Sequence, residues 1–465
     1  MYHSLHIRAN KCNFAANIRA NKCNFAANIR ANKCEHMQRT ILNQLIEWKQ
    51  KDTRKPLILN GARQVGKTYI LKAFGEAEYE SIAYVSLDNN PEARQIFEQD
   101  FNIRRIIRAL SALLHIHIEP SNTLIILDEI QESPYALNAL KYFYEDAPEY
   151  HIAVAGSLLG VSLHQGTSFP VGKVDILKMY PMTFEEFLLA LGEKDLVAIL
   201  QDHDYSTIDS LALRFTDYLR QYYYVGGMPA AVKEYVDTQN LIAVRAIQKD
   251  IIFGYRRDFS KHAPTQQIPR INLVWDSIPS QLAKDNKKFI YGALKPGGRA
   301  KEFELAIQWL IDAGLVYRIY RATAPSVPLK FYEDLTAFKL FMLDVGLMGA
   351  MADTDSADVL VKIDIFEEYK GAFTELYAYT QLAPSELPIY YYSANDSRVE
   401  IDFLAQYQGH IIPIEVKAEE NVRSKSLKTY IDKHPTLHGL RLSMLPYHEQ
   451  SWMTNKPLYA PSCWL

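Results

Sequence analysis

Between residues 37 and 190, short apolar runs alternate with stretches whose apolar residues recur at helical spacing. The runs at 57–60, 82–87, 124–127, 152–155 and 174–178 are too short for helices and rich in Ile, Leu, Val and Ala. They predict buried strands of a parallel α/β sheet. Met37 to Trp48 predicts an opening helix. Residues 183–260 read as helical. Thr183 followed by Glu186 opens them as a capping box, and Gly226-Gly227-Met228-Pro229 breaks them. From 263 to 332 the pattern is helix, helix, helix and hairpin. Phe303, Ile307, Leu310 and Ile311 share a face, Gly314 ends that helix, and Leu315 to Tyr320 is a strand, the order of a winged helix. A helix from Glu367 to Leu382 precedes strands at 389–392, 399–405 and 410–417.

The N-terminus breaks this pattern. Residues 7–17 recur unchanged at 18–28, and a third copy starts at Ile29 and stops after Cys34. Its Arg and Lys residues suit a transit peptide or a nucleic-acid arm. Its eleven-residue period would also hold Ile7, Phe14, Ile18, Phe25 and Ile29 on one helical face. The asparagines weaken a helix. Perfect identity favours a duplicated DNA repeat read through as a spurious extension before Met37. The expected organisation is therefore a repeat tail at 1–36, an α/β domain at 37–190, a helical region at 191–262, a winged helix at 263–335 and a second domain of helix and strands at 336–465.

Gly61-Ala62-Arg63-Gln64-Val65-Gly66-Lys67-Thr68 is a complete GxxxxGK[ST] loop, placed after a strand and before a helix as phosphate binding requires. The glycines let the backbone wrap a polyphosphate, and the helix N-terminus faces it. Lys67 is placed to reach the β and γ phosphates of ATP, and Thr68 to hold Mg²⁺. The run Leu124-Ile125-Ile126-Leu127 ends in Asp128 and Glu129. Asp128 is expected on the Mg²⁺ and Glu129 on the attacking water. A buried strand ending in a solvated acidic turn is the plain alternative.

A second constellation lies near the C-terminus. Asp402 and Glu415 fall on two strands expected to pair, and Glu415 and Lys417 point to one face of their strand. Two carboxylates and a lysine on one face are able to hold a divalent metal and position a water. This is the D…ExK arrangement of PD-(D/E)XK nucleases, in which Asp402, Glu415 and Lys417 would be catalytic. The resemblance adds Glu375 to a second metal site with Asp402 and Glu415. Ordinary alternation on a surface hairpin would give the same spacing.

Residues 261–332 carry eleven Lys and Arg against five Asp and Glu, a local +6 in a chain whose net charge is −3. The excess marks a candidate DNA face led by Lys295, Arg299 and Lys301, or else a protein-interaction module. Arg256 and Arg257 are candidates for an arginine finger reaching a phosphate in a neighbouring subunit of a homo-oligomer or in the same one, against the commoner case of exposed helix arginines. No apolar run reaches the 18 residues of a membrane span. None of the four cysteines forms a CxxC pair, which removes a zinc site or disulfide framework. A cytoplasmic location is expected.

Gly61 to Thr68, Leu127-Asp128-Glu129-Ile130-Gln131, Ala155-Gly156-Ser157 and Tyr180 to Phe187 together resemble a large bacterial and archaeal family of AAA-type ATP-binding proteins. Phe338 to Leu347, Lys370 to Glu375 and Ile414-Glu415-Val416-Lys417 resemble the family's C-terminal half. The resemblance spans about 37–450. It implies an AAA-type P-loop sheet domain, a winged-helix middle and a C-terminal α/β domain with a restriction-endonuclease-like core. In the AAA strand order Ser157 would lie beside Asp128 and Glu129 and sense the γ-phosphate, though a serine in a strand-ending turn needs no such role. Gly172-Lys173 departs from the family, where an arginine is expected after the glycine. Two functions follow: an ATPase coupled to a DNA-associated nuclease-like module, or a nucleotide-gated protein-interaction switch on an inactive scaffold.

Overall fold

The computed structural model describes residues 37–157, 160, 169–284, 287–354, 367–394, 399–418 and 424–465, so the repeat at 1–36 lies outside the described residues. Strands β1 (Leu57–Asn60), β2 (Ser81–Ser86), β3 (Thr123–Asp128), β4 (His151–Gly156) and β5 (Asp175–Lys178) form one sheet. Its order is β2-β3-β4-β1-β5, and every neighbouring pair is parallel. The period of two explains its layers. Leu57, Leu59, Leu124 and Ile126 face Trp48 and Phe74, from helices Ile41–Gln50 and Lys67–Glu78. Ile58, Ile125 and Leu127 face Phe97, Leu110 and Phe143, from helices Pro91–Gln99, Ile103–Leu114 and Pro134–Asp146. All five predicted strands are present within a residue or so of their expected bounds.

The opening helix begins at Ile41, later than expected. Arg39 and Thr40 are drawn out of it by Glu186, which accepts from the Thr40 backbone N–H at 2.7 Å. The capping box predicted at Thr183 and Glu186 is formed. Helices Ala212–Val225, Pro229–Thr238 and Leu241–His262 follow, with the Gly226–Met228 break between the first two.

The segment expected as a winged helix contains two of its helices and the hairpin in the expected order. Between helices Ile268–Leu282 and Ala300–Asp312 the described residues form only a short 3-10 turn, Tyr291–Ala293. Gly292 and Pro296-Gly297-Gly298 leave no room for a longer helix. The hairpin β6 (Val316–Ala322) and β7 (Glu333–Met342) does not stand alone. It is the edge of an eight-stranded sheet, ordered β12-β13-β11-β10-β9-β8-β6-β7. The other members are β8 (Ile389–Ser393), β9 (Glu400–Tyr407), β10 (His410–Val416), β11 (Gly439–Ser443), β12 (His448–Glu449) and β13 (Met453–Pro457). The boundary expected after residue 335 falls inside β7. Ala337 to Met342 are buried at every position, so this strand is packed on both faces rather than presented as a wing. One apolar core runs from Trp48 through Tyr222 to Trp464 and joins the two sheets. Among the described residues no helix is long and apolar enough to cross a membrane.

Candidate nucleotide-binding site

β1 delivers the chain into the glycine loop, and helix Lys67–Glu78 leaves it. Gly61 has φ of 156°, and a Cβ there would sit 2.3 Å from the Met179 carbonyl oxygen. Gly66 caps the helix in the left-handed region at φ 98°. A side chain would be strained at both positions, which is why the loop needs glycine there. Lys67 is buried, and its Nζ donates to the carbonyls of Gly61 at 2.8 Å and Ala62 at 2.7 Å. Burial pulls its ammonium down to about 8, against Glu129 and Asp128, which pull it up. A buried cation held by two carbonyls lacks an anion, and the loop is shaped to supply one as phosphate.

Thr68 Oγ1 donates to Asp128 Oδ2 at 2.7 Å. Tyr84 OH donates to the same oxygen at 3.1 Å, and burial, with Asp128 second, lifts that phenol to about 12. The hydroxyl and carboxylate expected on Mg²⁺ are thus neighbours, a hard oxygen pair that fits this ion. Glu129 follows at φ 52°, a left-handed conformation for a non-glycine residue. Gln131 and Ser157 both donate to Glu129 Oε2, the serine at 3.2 Å. Ser157 directly follows β4, which lies beside β3 in the sheet.

The loop's supports leave no local signal in the sequence. Arg39 is buried, donating to Val65 O at 3.0 Å, Tyr180 O at 2.6 Å and Glu186 Oε2 at 3.0 Å. It ties the loop to the strand after it and to the capping box. On the other side, Arg63 is ion-paired with Asp258, and Tyr255 OH donates to Arg63 O at 2.9 Å. Both partners lie on helix Leu241–His262. Arg256 on the same helix is ion-paired with Asp276 at 2.6 Å on its own chain. At the departure from the family pattern, Lys173 pairs with Glu145 at 2.9 Å.

The C-terminal constellation is brought together, but as a charge cluster. β9 and β10 pair antiparallel, and Val416 N–H donates to Asp402 Oδ2 at 2.8 Å. Lys417 Nζ reaches Glu415 Oε1 at 3.1 Å. Glu375 is buried between Lys287, in direct contact, and Lys339 at 3.6 Å. Lys339, fully buried, also meets Glu400 at 2.7 Å. Burial alone would raise Glu375, but Lys287 and Lys339 hold it well below the usual carboxylate range. Burial, then the neighbouring Glu375, pushes Asp402 up. Three lysines flank Glu375 and Glu415, Glu375 also bonds Asp402 directly, and the described residues contain no group of three acidic, His or Cys side chains arranged to hold a metal. Glu375 and Asp402, two of the three residues expected at a second metal site, are brought into contact, with lysine ammonium groups beside them. Lys287 and Lys339 were missed because no D…ExK spacing contains them.

Lys295, Arg299 and Lys301 are all exposed, with Lys295 3.7 Å from Glu302. Part of the local basic excess is spent internally. Lys287 meets Glu375, Arg318 meets Glu304 and Arg321 meets Asp334.

A search of curated proteins returns no match. Residues 53–188 match the model of an AAA domain. Residues 216–358 and 365–455 match two domains of unknown function, DUF8612 and DUF4143. Among solved structures, a Walker-type ATPase of Pyrococcus abyssi is 13% identical with a TM-score of 0.44, covering 68% of this chain and 96% of its own. The RuvB Holliday junction branch migration motor of Thermotoga maritima is 14% identical with a TM-score of 0.28, covering 63% and 91%. Cdc6p from Pyrobaculum aerophilum is 12% identical with a TM-score of 0.24, covering 69% and 92%. Likenesses this distant carry no argument about what this chain does. The family-model match, on a parallel five-stranded sheet carrying a complete glycine loop, marks residues 53–188 as an AAA-type, ATPase-like P-loop domain.

Proposed function

We propose that the chain binds and hydrolyses ATP at Gly61–Thr68 and uses the nucleotide state as a switch. The observation that carries this is the Thr68–Asp128 contact beside Glu129, itself held by Ser157 and Gln131. The loop N–H groups and Lys67 would bind the phosphates, and Thr68 and Asp128 would hold Mg²⁺. The ion, when bound, neutralises phosphate charge. Glu129 would orient the attacking water and accept its proton, with Ser157 and Gln131 fixing its carboxylate. Helix Leu241–His262 is the route out of the site, because Asp258 and Tyr255 grip Arg63 inside the loop.

The lysine-filled cluster at Glu375 and Asp402 supports the reading in which the C-terminal sheet is a scaffold for a nucleotide-gated surface rather than a working nuclease. A DNA-associated form of the same ATPase rests on the exposed Lys295, Arg299 and Lys301. The test is phosphate release from Mg·ATP with and without duplex DNA, run beside plasmid nicking in Mn²⁺. Turnover without nicking is the expected result. Absence of both ATP binding and turnover would sink the ATPase, and nicking lost in Asp402→Ala would restore the nuclease.

A further inference from the structure

Resting on the ATPase reading above, we propose that Arg63 is a further catalytic residue. When Mg·ATP binds, its guanidinium leaves Asp258 for the γ-phosphate, which completes the site and frees helix Leu241–His262 from the loop.

Arg63 and Lys67 are the two cations among the eight loop residues. Their settings are opposite. Lys67 is buried against the Gly61 and Ala62 carbonyls, whereas the Arg63 side chain is 46% exposed. The partner of Arg63 is buried in turn. Only 6% of the Asp258 side chain is exposed. Arg63 meets its Oδ1, while its Oδ2 is buried and has no partner among the described residues. Burial pushes this carboxyl up against the pull of Arg63 and His262, and Glu129 adds to the push. The ion pair therefore lies within electrostatic reach of Glu129. It is also within reach of Lys67, whose ammonium Arg63 helps to pull down. Lys67 and Glu129 bound the space where the γ-phosphate is expected, so the guanidinium that Asp258 now holds is beside that space.

The helix grips the loop backbone as well. Tyr255 OH donates to Arg63 O at 2.9 Å, and a Cβ on Gly254 would lie 3.6 Å from Gln64 Nε2. Gln64 sits under this contact at φ 67°, a left-handed conformation for a non-glycine residue.

Two anions thus compete for one guanidinium. Asp258 offers it one oxygen. The γ-phosphate offers three oxygens and more charge, a better match to a planar fork. The contact strengthens during reaction. As the bond from the γ-phosphorus to the bridging oxygen breaks, its electron pair passes to the β-phosphate and the proton of the attacking water to Glu129. Arg63 faces the charge spread over the γ oxygens. Asp258, left without its cation, is a buried and unpaired carboxylate, a costly state that the end of the helix relieves by moving towards water. Loss of the phosphate returns Arg63 to Asp258, and the exchange gives the switch its two states.

The test is steady-state phosphate release from Mg·ATP by the full chain, with kcat and KM read separately for wild type, Arg63→Ala and Asp258→Asn. Arg63→Ala is expected to lower kcat about 10²-fold, the scale of one transition-state donor, with KM changed by less than about three-fold. Asp258→Asn is nearly isosteric and removes the competitor, so it is expected to keep kcat and lower KM about five-fold. A merely structural ion pair would make the two variants behave alike, since each breaks the same contact. Arg63→Gln keeps the side-chain stem and gives the same reading if Arg63→Ala does not fold. Turnover by Arg63→Ala within about three-fold of wild type overturns the inference and leaves the ATPase reading in place. Loss of kcat in both variants, or an unchanged KM in Asp258→Asn, does the same. No turnover by the wild type overturns the ATPase reading, and this inference with it.

Discussion

Replacing Lys67 by Met separates two roles that one ammonium plays. In the nucleotide-free protein Lys67 is buried, and its pKa falls to about 8. Set against the usual lysine value near 10.4, that drop corresponds to about 3 kcal/mol of preference for the neutral form in the folded state. The sign follows from linkage. Below pH 8 the lysine is charged in both folded and unfolded chains, so the folded state carries the full penalty. As pH rises from 8 towards 10.4 the folded lysine deprotonates first and the penalty fades. Met fills similar volume without the charge. It loses the two hydrogen bonds to Gly61 and Ala62, each contributing about 1 kcal/mol. The balance at pH 7 is therefore about +1 kcal/mol in favour of Lys67→Met, a rise of about 1 °C in Tm for a chain of this size. With Mg·ATP the order reverses, since only the wild type gains the phosphate contacts. Thermal melts of both proteins with and without Mg·ATP, at pH 7 and pH 9.5, read all of this. A nucleotide-free Lys67→Met protein that melts several degrees below wild type at pH 7 would refute the reasoning. So would equal stabilisation of the two proteins by Mg·ATP.

Glu129→Gln is expected to keep ATP binding and lower turnover by on the order of 10²-fold or more, read as phosphate release beside a nucleotide-binding titration; normal turnover would remove Glu129 from its role. Lys339→Met should destabilise the chain by about 3–5 kcal/mol, since it leaves Glu375 and Glu400 under-paired, and adding Glu375→Gln should recover much of the loss. A double variant no more stable than the single would mean the cluster is not electrostatically coupled. If DNA binds the exposed trio, reversing Lys295, Arg299 and Lys301 to Glu should flatten the log–log salt dependence by about 0.9 per lost phosphate contact, and an unchanged slope moves any DNA site elsewhere.

The parallel sheet was readable because each strand is a short apolar run bounded by turn residues, and a buried strand has no other use for such a run. The glycine loop was readable because backbone conformation at Gly61 and Gly66 dictates residue type. The supports were not. Arg39 meets Glu186 across 147 positions, and Arg63 meets Asp258 across 195. Neither pairing leaves a local spacing to recognise. The hairpin's place in a wider sheet was hidden for a related reason. Alternation predicts a strand but not its neighbour, and β6 pairs with β8 as well as β7. The D…ExK spacing correctly placed Asp402 and Glu415 on paired strands. It said nothing of what the third and fourth elements bring, and here β7 and the loop at Lys287 bring lysines.

Those distant pairings also tie the two sheets together. Helix Leu241–His262 has 22 residues, about 33 Å at 1.5 Å per residue. Near its start, Arg245 donates to Gly346 O and Thr354 O, both at 3.2 Å, while Gln248 donates to Tyr224 O and Val225 O. Near its end, Tyr255 and Asp258 hold Arg63. The first contacts lie at the Gly226 break, where Asp344 accepts from Gly227 N–H at 2.6 Å and caps the short helix Val345–Met351. Burial holds that aspartate up at about 6, so its charged form depends on the three backbone N–H groups of Gly227, Leu347 and Gly346 staying aimed at it. A rigid helix with polar contacts at both ends transmits displacement better than apolar packing alone, because a hydrogen bond loses most of its strength within a fraction of an ångström or a few tens of degrees. The glycine loop and the segment after β7 are therefore joined by polar contacts at the two ends of one helix, Arg63 with Asp258 at one and Arg245 with Gly346 and Thr354 at the other.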